Sequence, residues 1–322
     1  VHIEIPNSAF IGNIEGFLRN IFYDTNESLN ITSNPKWMSL HPVVTCMISA
    51  IGLEFIDNQK KIFFEPVTAK SRNYLSAIGL FKILNVDPGF QIAEHEATGR
   101  YIPLTRIKNA NQLKDFINEI VPLLHTTPEQ ADPIKYIISE LVRNVLEHSR
   151  SKVGAVACAQ YFKKTNRISI GVADRGIGIY SAMAKHHNVK SDLEAINLAL
   201  KPGITGTTNK VGGTEYNAGA GLFFTKSIAY VSKDYFMLYS GDSLYKQLKP
   251  KVTPQLDLGV EVFTDRATKK EKLPKWQGTA VGIDISMDIN QDFSVLLEFI
   301  RKAYTIRLKK TKGIKNKKPK FI

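Results

Sequence analysis

Ser139-Glu140-Leu141-Val142-Arg143-Asn144, then Asp174-Arg175-Gly176-Ile177-Gly178-Ile179, then Asn217-Ala218-Gly219-Ala220-Gly221-Leu222: these three stretches, in this order, decide the fold. The first sits in a helical pattern predicted over about 133–149. Ile134, Ile138, Leu141 and Val145 mark one apolar face, while Glu140 and Asn144, four apart, share the opposite polar face. The second ends a strand in which Ile168, Ile170 and Val172 alternate onto one side. The third opens a helix that runs to about Val231.

Each stretch has a chemical reading and a plain one. A carboxylate beside an amide oxygen suits a magnesium nucleotide: Asn144 offers a neutral hard ligand, and Glu140 can orient or deprotonate an attacking water or hydroxyl. The plain reading is an amphipathic helix with a solvated face. Asp174 can accept a hydrogen bond from the amino group of adenine, where guanine would present an oxygen, and Gly176 and Gly178 allow a tight turn and close backbone approach to the base. The plain reading is a turn after a strand. Free N–H groups at a helix start, with Gly219 and Gly221 removing side-chain obstruction, form an anion cradle. Its plain reading is a glycine-rich turn. Two other phosphate loops are excluded: Ala220–Ser227 ends in Lys226-Ser227 but has Ala220 and Thr225 where a Walker loop has glycine, and Ser181 stands where a Rossmann loop has its third glycine.

Around these stretches the chain reads as alternating elements. Residues 1–5, 61–65 and 99–104 are strand-like, and 37–53 contains an apolar run that fits a buried helix. A further helix is predicted around 74–84, and Leu113, Phe116, Ile117, Ile120 and Leu124 recur at helical spacing. His125-Thr126-Thr127-Pro128 marks a loop and helix start, which places the division between two domains at 125/126. Beyond it, strands are predicted over 153–162, 167–173, 234–240 and 278–285, with a charged insertion carrying a hairpin over 241–276 and a helix over 293–304. The expected organisation is an N-terminal α/β module over 1–125, a second domain over 126–300 and a basic tail over 301–322.

The chain has 322 residues, enough for two cores, and carries a net charge of +13. Ten basic and no acidic side chains fall within 301–322, which leaves only +3 for the other 300 residues. The tail is therefore the basic object, either a solvated segment or a contact for nucleic acid or an acidic partner. No apolar run reaches the roughly 18–20 residues that span a bilayer, so no membrane association is expected. The first residues lack a secretion signal, and Cys46 and Cys158 read as reduced, buried thiols, so a cytoplasmic location is expected. No Cys or His cluster has zinc spacing.

The order and spacing of the three stretches resemble the GHKL ATP-binding family, named for DNA gyrase, heat-shock chaperones, histidine kinases and MutL. The resemblance covers roughly residues 130–290. Glu140-Leu-Val-Arg-Asn144 is similar to the N box, Asp174-Arg-Gly176-Ile-Gly178 to the G1 box and Gly219-Ala-Gly221-Leu222 to the G2 box. It implies an α/β sandwich of the Bergerat type, preceded by the smaller α/β domain. It also implies ATP and Mg²⁺ as cofactors, Glu140 as general base and Asn144 as metal ligand. Asp174, Gly176, Gly178, Gly219, Gly221, Leu222 and Thr279 would contact ATP, and residues 180–218 would form a lid in which Lys201, Thr205, Thr207, Thr208 and Lys210 could reach the phosphates. His148, one turn past Asn144, is either pocket-adjacent or structural. No histidine stands in a phospho-acceptor helix, and the glutamate at the start of the N box resembles ATPases and anti-sigma serine kinases more than histidine kinases. The N-terminal module faintly resembles STAS domains of bacterial partner-switching proteins.

What the resemblance implies is an ATPase acting as a conformational switch on an unidentified protein partner, with homodimerisation on ATP binding. The alternatives are a serine/threonine protein kinase of the anti-sigma type, or an ATP-sensing regulator whose tail engages nucleic acid.

Overall fold

The computed structural model describes residues 1–23, 27–69, 72–90, 101–120, 128–208, 220–249, 266–287 and 297–305, without 299 and 303. The expected contacts of Lys210 and Gly219, the centre of the 241–276 insertion and the tail beyond 305 lie outside these residues.

The chain is a mixed α/β protein. Its strands are β1 (His2–Ile5), β2 (Ser8–Ala9), β3 (Ile21–Phe22), β4 (Ser28–Ser33), β5 (Ser39–Leu40), β6 (Lys61–Phe64), β7 (Tyr101–Ile107), β8 (Ala155–Phe162), β9 (Arg167–Asp174), β10 (Phe236–Gly241), β11 (Ser243–Gln247), β12 (Ala267–Lys270) and β13 (Trp276–Ser286). Its α-helices are α1 (Glu15–Arg19), α2 (Pro42–Asp57), α3 (Arg72–Ala77), α4 (Leu80–Leu84), α5 (Ala110–Asn118), α6 (Pro128–Asn144), α7 (Gly178–Met183), α8 (Asp192–Ala199) and α9 (Gly221–Val231).

The strands form a seven-stranded sheet in the order β12-β11-β10-β13-β9-β8-β7, a four-stranded sheet in the order β3-β1-β4-β6, and the small pair β2-β5. Every pairing in the large sheet is antiparallel. In the four-stranded sheet β1, β4 and β6 run parallel, an arrangement that needs a crossover connection between successive strands.

Both faces of the large sheet are buried, and alternation along β8 shows how. Ala155, Ala157 and Ala159 join the core beneath α5, α6 and α9, whereas Val156 and Cys158 join the core built around α2 and the N-terminal strands. Ile168, Ile170 and Val172 of β9 face the first core together, as the period-two pattern requires. Helix α2 is buried along nearly all its length because it lies between the two sheets. Its start is set by His41, whose Nδ1 accepts the Val43 N–H at 3.1 Å, and by Pro42 in the first turn, where a missing N–H costs nothing. Cys46 and Cys158 are both free thiols inside this second core.

Two boundaries differ from the sequence expectation. The large sheet begins before residue 125: β7 pairs with β8, and α5 packs with α6 in the first core, so residues 101–120 belong structurally to the large sheet and its helices. Sequence order hides this because β7 finds its partner about fifty residues later. The ends of the 241–276 stretch form an antiparallel pair, in keeping with the expected hairpin, but that pair extends the large sheet instead of standing apart from it. β11 folds back on β10 in register Ser240↔Ser243, and β12 adds the outer edge.

Among the described residues no helix is long and apolar enough to cross a membrane.

Candidate functional site

Helix α6 presents its apolar stripe to the first core: Ile134, Ile137, Ile138, Leu141, Val142 and Val145 are buried. Glu140 and Asn144 are left on the other side, half-buried, facing a cavity of about 510 Å³, a size ordinary for a small-molecule site. The helix then widens into a π-type turn over Val145–Ser149 and stops at Arg150, which takes a left-handed φ of 54°. The extra residue per turn lets the Ser149 carbonyl reach across and accept the Ile177 N–H at 2.8 Å. This bond fastens the end of α6 to the loop after β9.

That loop carries Asp174, the last residue of β9, at 1% exposure. Its Oδ1 accepts the Gly176 N–H at 2.7 Å. Burial pushes the carboxyl up to about 7, opposed by the backbone N–H groups of Gly176 and Thr279 and by the charge of Arg175. A Cβ on Gly176 would sit 2.1 Å from the Ser149 carbonyl oxygen, so the glycine is required by the helix end packed against it. On the opposite side Ser240 Oγ donates to the Gly278 carbonyl at 2.6 Å and accepts the Ile179 N–H at 3.0 Å. β10 thereby ties the start of α7 to the start of β13 beside Asp174.

Helix α9 begins at Gly221 with no side-chain cap. A Cβ on Gly221 would lie 2.5 Å from Glu140 Oε2 and 3.5 Å from Asn144 Nδ2, so the glycine brings the start of α9 against this pair without displacing the Glu140 carboxylate. Burial pushes the Glu140 carboxyl up. Arg143, whose Nη1 is 3.5 Å from Glu140 Oε1, pulls it down, and Glu147 adds to the rise. Asn144 Nδ2 is buried and has no hydrogen-bond partner.

Of the residues singled out in the sequence, Glu140, Asn144, Asp174, Gly178, Gly221, Leu222 and Thr279 line this one cavity, together with His148, Thr205 and Thr207. Gly176, Lys201 and Thr208 do not line it. Other lining residues escaped the sequence reading. Arg143, Arg150, Lys185 and His186 add cationic or titratable groups, while Ile179, Met183 and Ile204 add apolar wall. Arg143 was legible in principle, since it lies inside the first stretch. Lys185 and Ile204 carry no local signal, because only the packing of 178–208 brings them to the cavity.

Residues 180–208 of the predicted lid are held by contacts among themselves. They include most of α7 and all of α8, His187 Nε2 lies 2.9 Å from the Thr205 carbonyl oxygen, and the hydroxyls of Thr205 and Thr207 are 3.0 Å apart. Arg175, next to Asp174, turns away from the cavity. Its Nε donates to Glu54 of α2 at 2.8 Å, and its guanidinium lies 4.9 Å from the centre of a Trp276 ring.

Among the described residues no three His, Cys, Asp or Glu side chains converge as a metal site. The chain matches no protein-family model and no curated protein.

Proposed function

We propose that this chain is a Mg²⁺-dependent ATP-binding protein of the GHKL type, with a Bergerat-like nucleotide domain, and that it hydrolyses ATP to drive a conformational switch. The observation that carries the reading is the convergence of Glu140, Asn144, Asp174, Gly178, Gly221 and Thr279, drawn from four separate parts of the chain, on one cavity. A long antiparallel sheet with the helices of the site packed on one face supports the fold assignment.

The residues present fit the nucleotide and its metal. Asp174, buried and adjacent to two backbone donors, would accept a hydrogen bond from the amino group of adenine, and this favours its ionised form. Asn144 ends in the cavity with a buried amide nitrogen that has no hydrogen-bond partner, and the oxygen and nitrogen of the amide exchange places on a half-turn of the group. Its oxygen would hold Mg²⁺, a cation that takes few protein ligands and completes its shell with phosphate and water. The metal would supply charge neutralisation at the phosphates. The uncapped start of α9 would orient N–H groups toward those phosphates, with Gly221 keeping the approach open. Arg143, Arg150 and Lys185 lower the cost of bringing a polyanion into the cavity. Glu140, its carboxyl raised toward neutrality by burial, would take a proton from the attacking water.

Thermal shift with Mg²⁺ and ATP, ADP or GTP tests the binding. Stabilisation by the adenine nucleotides beyond GTP, lost in Asp174→Asn and Asn144→Ala, is the expected result; no adenine-dependent shift overturns the reading. Incubation with γ-labelled ATP then separates the two chemistries. Free phosphate is expected for a switch ATPase, whereas label on a protein substrate would mark a kinase.

A further inference from the structure

β6 is the outer edge of the four-stranded sheet, and among the described residues no strand pairs with its far side. An unpaired edge is a template for another strand, and natural proteins usually blunt it. Here the sequence of the edge, Lys61-Ile62-Phe63-Phe64-Glu65, is complementary to itself when read backwards about Phe63. Lys61 is placed opposite Glu65, Ile62 opposite Phe64, and Phe63 opposite its own copy. Pro66 comes next and ends the stretch, since it has no N–H to continue a ladder.

The backbone directions agree with this register. Glu65 N–H donates to the Ile31 carbonyl of β4 at 2.9 Å, so Lys61, Phe63 and Glu65 turn their hydrogen-bonding groups inward to β4. Ile62 and Phe64 therefore turn theirs outward. In an antiparallel pair centred on Phe63, Ile62 of one copy and Phe64 of the other would form the hydrogen-bonded pairs, giving four backbone bonds across the two-fold axis. Lys61, Phe63 and Glu65 would then occupy the non-hydrogen-bonded positions, where side chains stand closest.

The side chains fit as well. Lys61, Phe63 and Glu65 are exposed on the outer face of the sheet, Phe63 at 53%. Ile62 and Phe64 face inward and pack at the margin of the second core.

We infer that the chain self-associates through this edge, two copies joining their four-stranded sheets antiparallel about Phe63, with Lys61 of each facing Glu65 of the other. The occupant is a second copy because the charge order of the edge is satisfied by its own reverse, which also closes the assembly at two. The inference does not depend on the nucleotide reading, because none of these residues lines the cavity.

Sedimentation of the full chain over a concentration series, without nucleotide, tests it. The wild-type chain is expected to show a monomer–dimer equilibrium. Lys61→Glu and Glu65→Lys each place like charges opposite one another at both ends of the pair, and each should weaken dimerisation about tenfold. Both positions are exposed, so the variants keep the fold. An equimolar mixture of the two variants restores both charge pairs and should recover wild-type association. A chain that stays monomeric at the highest attainable concentration overturns the proposal. A dimer indifferent to either reversal, or a mixture that fails to recover, does so too.

Discussion

At one end of the cavity Asp174 is almost wholly buried and its Oδ1 already holds a backbone N–H at 2.7 Å. The loop after it is tied to Ser149, and the start of α7 and Gly278 of β13 are tied to Ser240. At the other end Glu140 is only half-buried, Asn144 has a buried amide nitrogen without a partner, and α9 starts without a cap. The first end is held by its own hydrogen bonds, and the second presents polar groups toward the cavity that a ligand can engage. In the proposed function this contrast divides the labour: the rigid end selects the base, and the open end receives phosphate and metal and does the chemistry.

The largest expected effect lies at the open end. Glu140→Gln should lower steady-state ATP hydrolysis by about 10²–10⁴-fold, the usual worth of a general base, while ADP affinity from calorimetry stays within about twofold. Unchanged turnover would remove Glu140 from the chemistry. At the rigid end, Asp174→Asn keeps the shape and loses the charge. Adenosine affinity should drop roughly 10–100-fold, in line with loss of a hydrogen bond to a charged group. If adenosine binds the variant as well as the wild-type chain, the base does not sit at Asp174.

Gly176→Ala tests how tightly the rigid end is built. With its Cβ 2.1 Å from a carbonyl oxygen, unfolding free energy should fall by about 1–3 kcal/mol. Gly16, in α1 with open space around it, is the control, and Gly16→Ala should be neutral or stabilising by about 0.5–1 kcal/mol. Equal effects at the two glycines in chemical denaturation would contradict the close packing at Ser149.

A smaller effect comes from titration of Asp174. Its carboxyl stands near 7 in the free protein, above the ordinary value of 3.8. The free protein therefore loses this group's contribution to stability as pH rises from about 4 to about 7, the span between the unfolded and folded values. A ligand that hydrogen-bonds the ionised form gains affinity over the same range. Adenosine, with no phosphate to titrate, should bind about tenfold more tightly at pH 8 than at pH 6, and a flat profile would argue against contact with the carboxylate. The smallest effect is expected from Asn144→Ala without ligand. Removing a side chain whose buried amide nitrogen has no partner should change stability by less than about 1 kcal/mol, even though Mg²⁺-nucleotide stabilisation is lost.

Much of this architecture was legible along the chain. The stripe Ile134, Ile138, Leu141 and Val145 set one face of α6 toward the core and so directed Glu140 and Asn144 the other way. Alternation of Ile168, Ile170 and Val172 placed Asp174 at the end of a strand. Both signals are periodicities of the backbone itself, which a sequence displays directly. The edge of the sheet was less legible. β7 pairs with a strand far along the chain, and no local pattern at residue 125 betrays that pairing.

By itself, then, the sequence determined that α6 and α9 are helical and β9 extended, which of their faces are apolar, and that an acid–amide pair, a strand-ending aspartate and a glycine-rich helix start occur in one order. These are local properties, decided within a few turns or residues. Only the tertiary structure decided that Gly176 answers to Ser149 and Gly221 to Glu140, that Lys185 and Ile204 share the cavity, and that Arg175 reaches α2. Each of these depends on close packing between segments distant in sequence, and steric exclusion at two or three ångströms leaves no periodic trace in the chain.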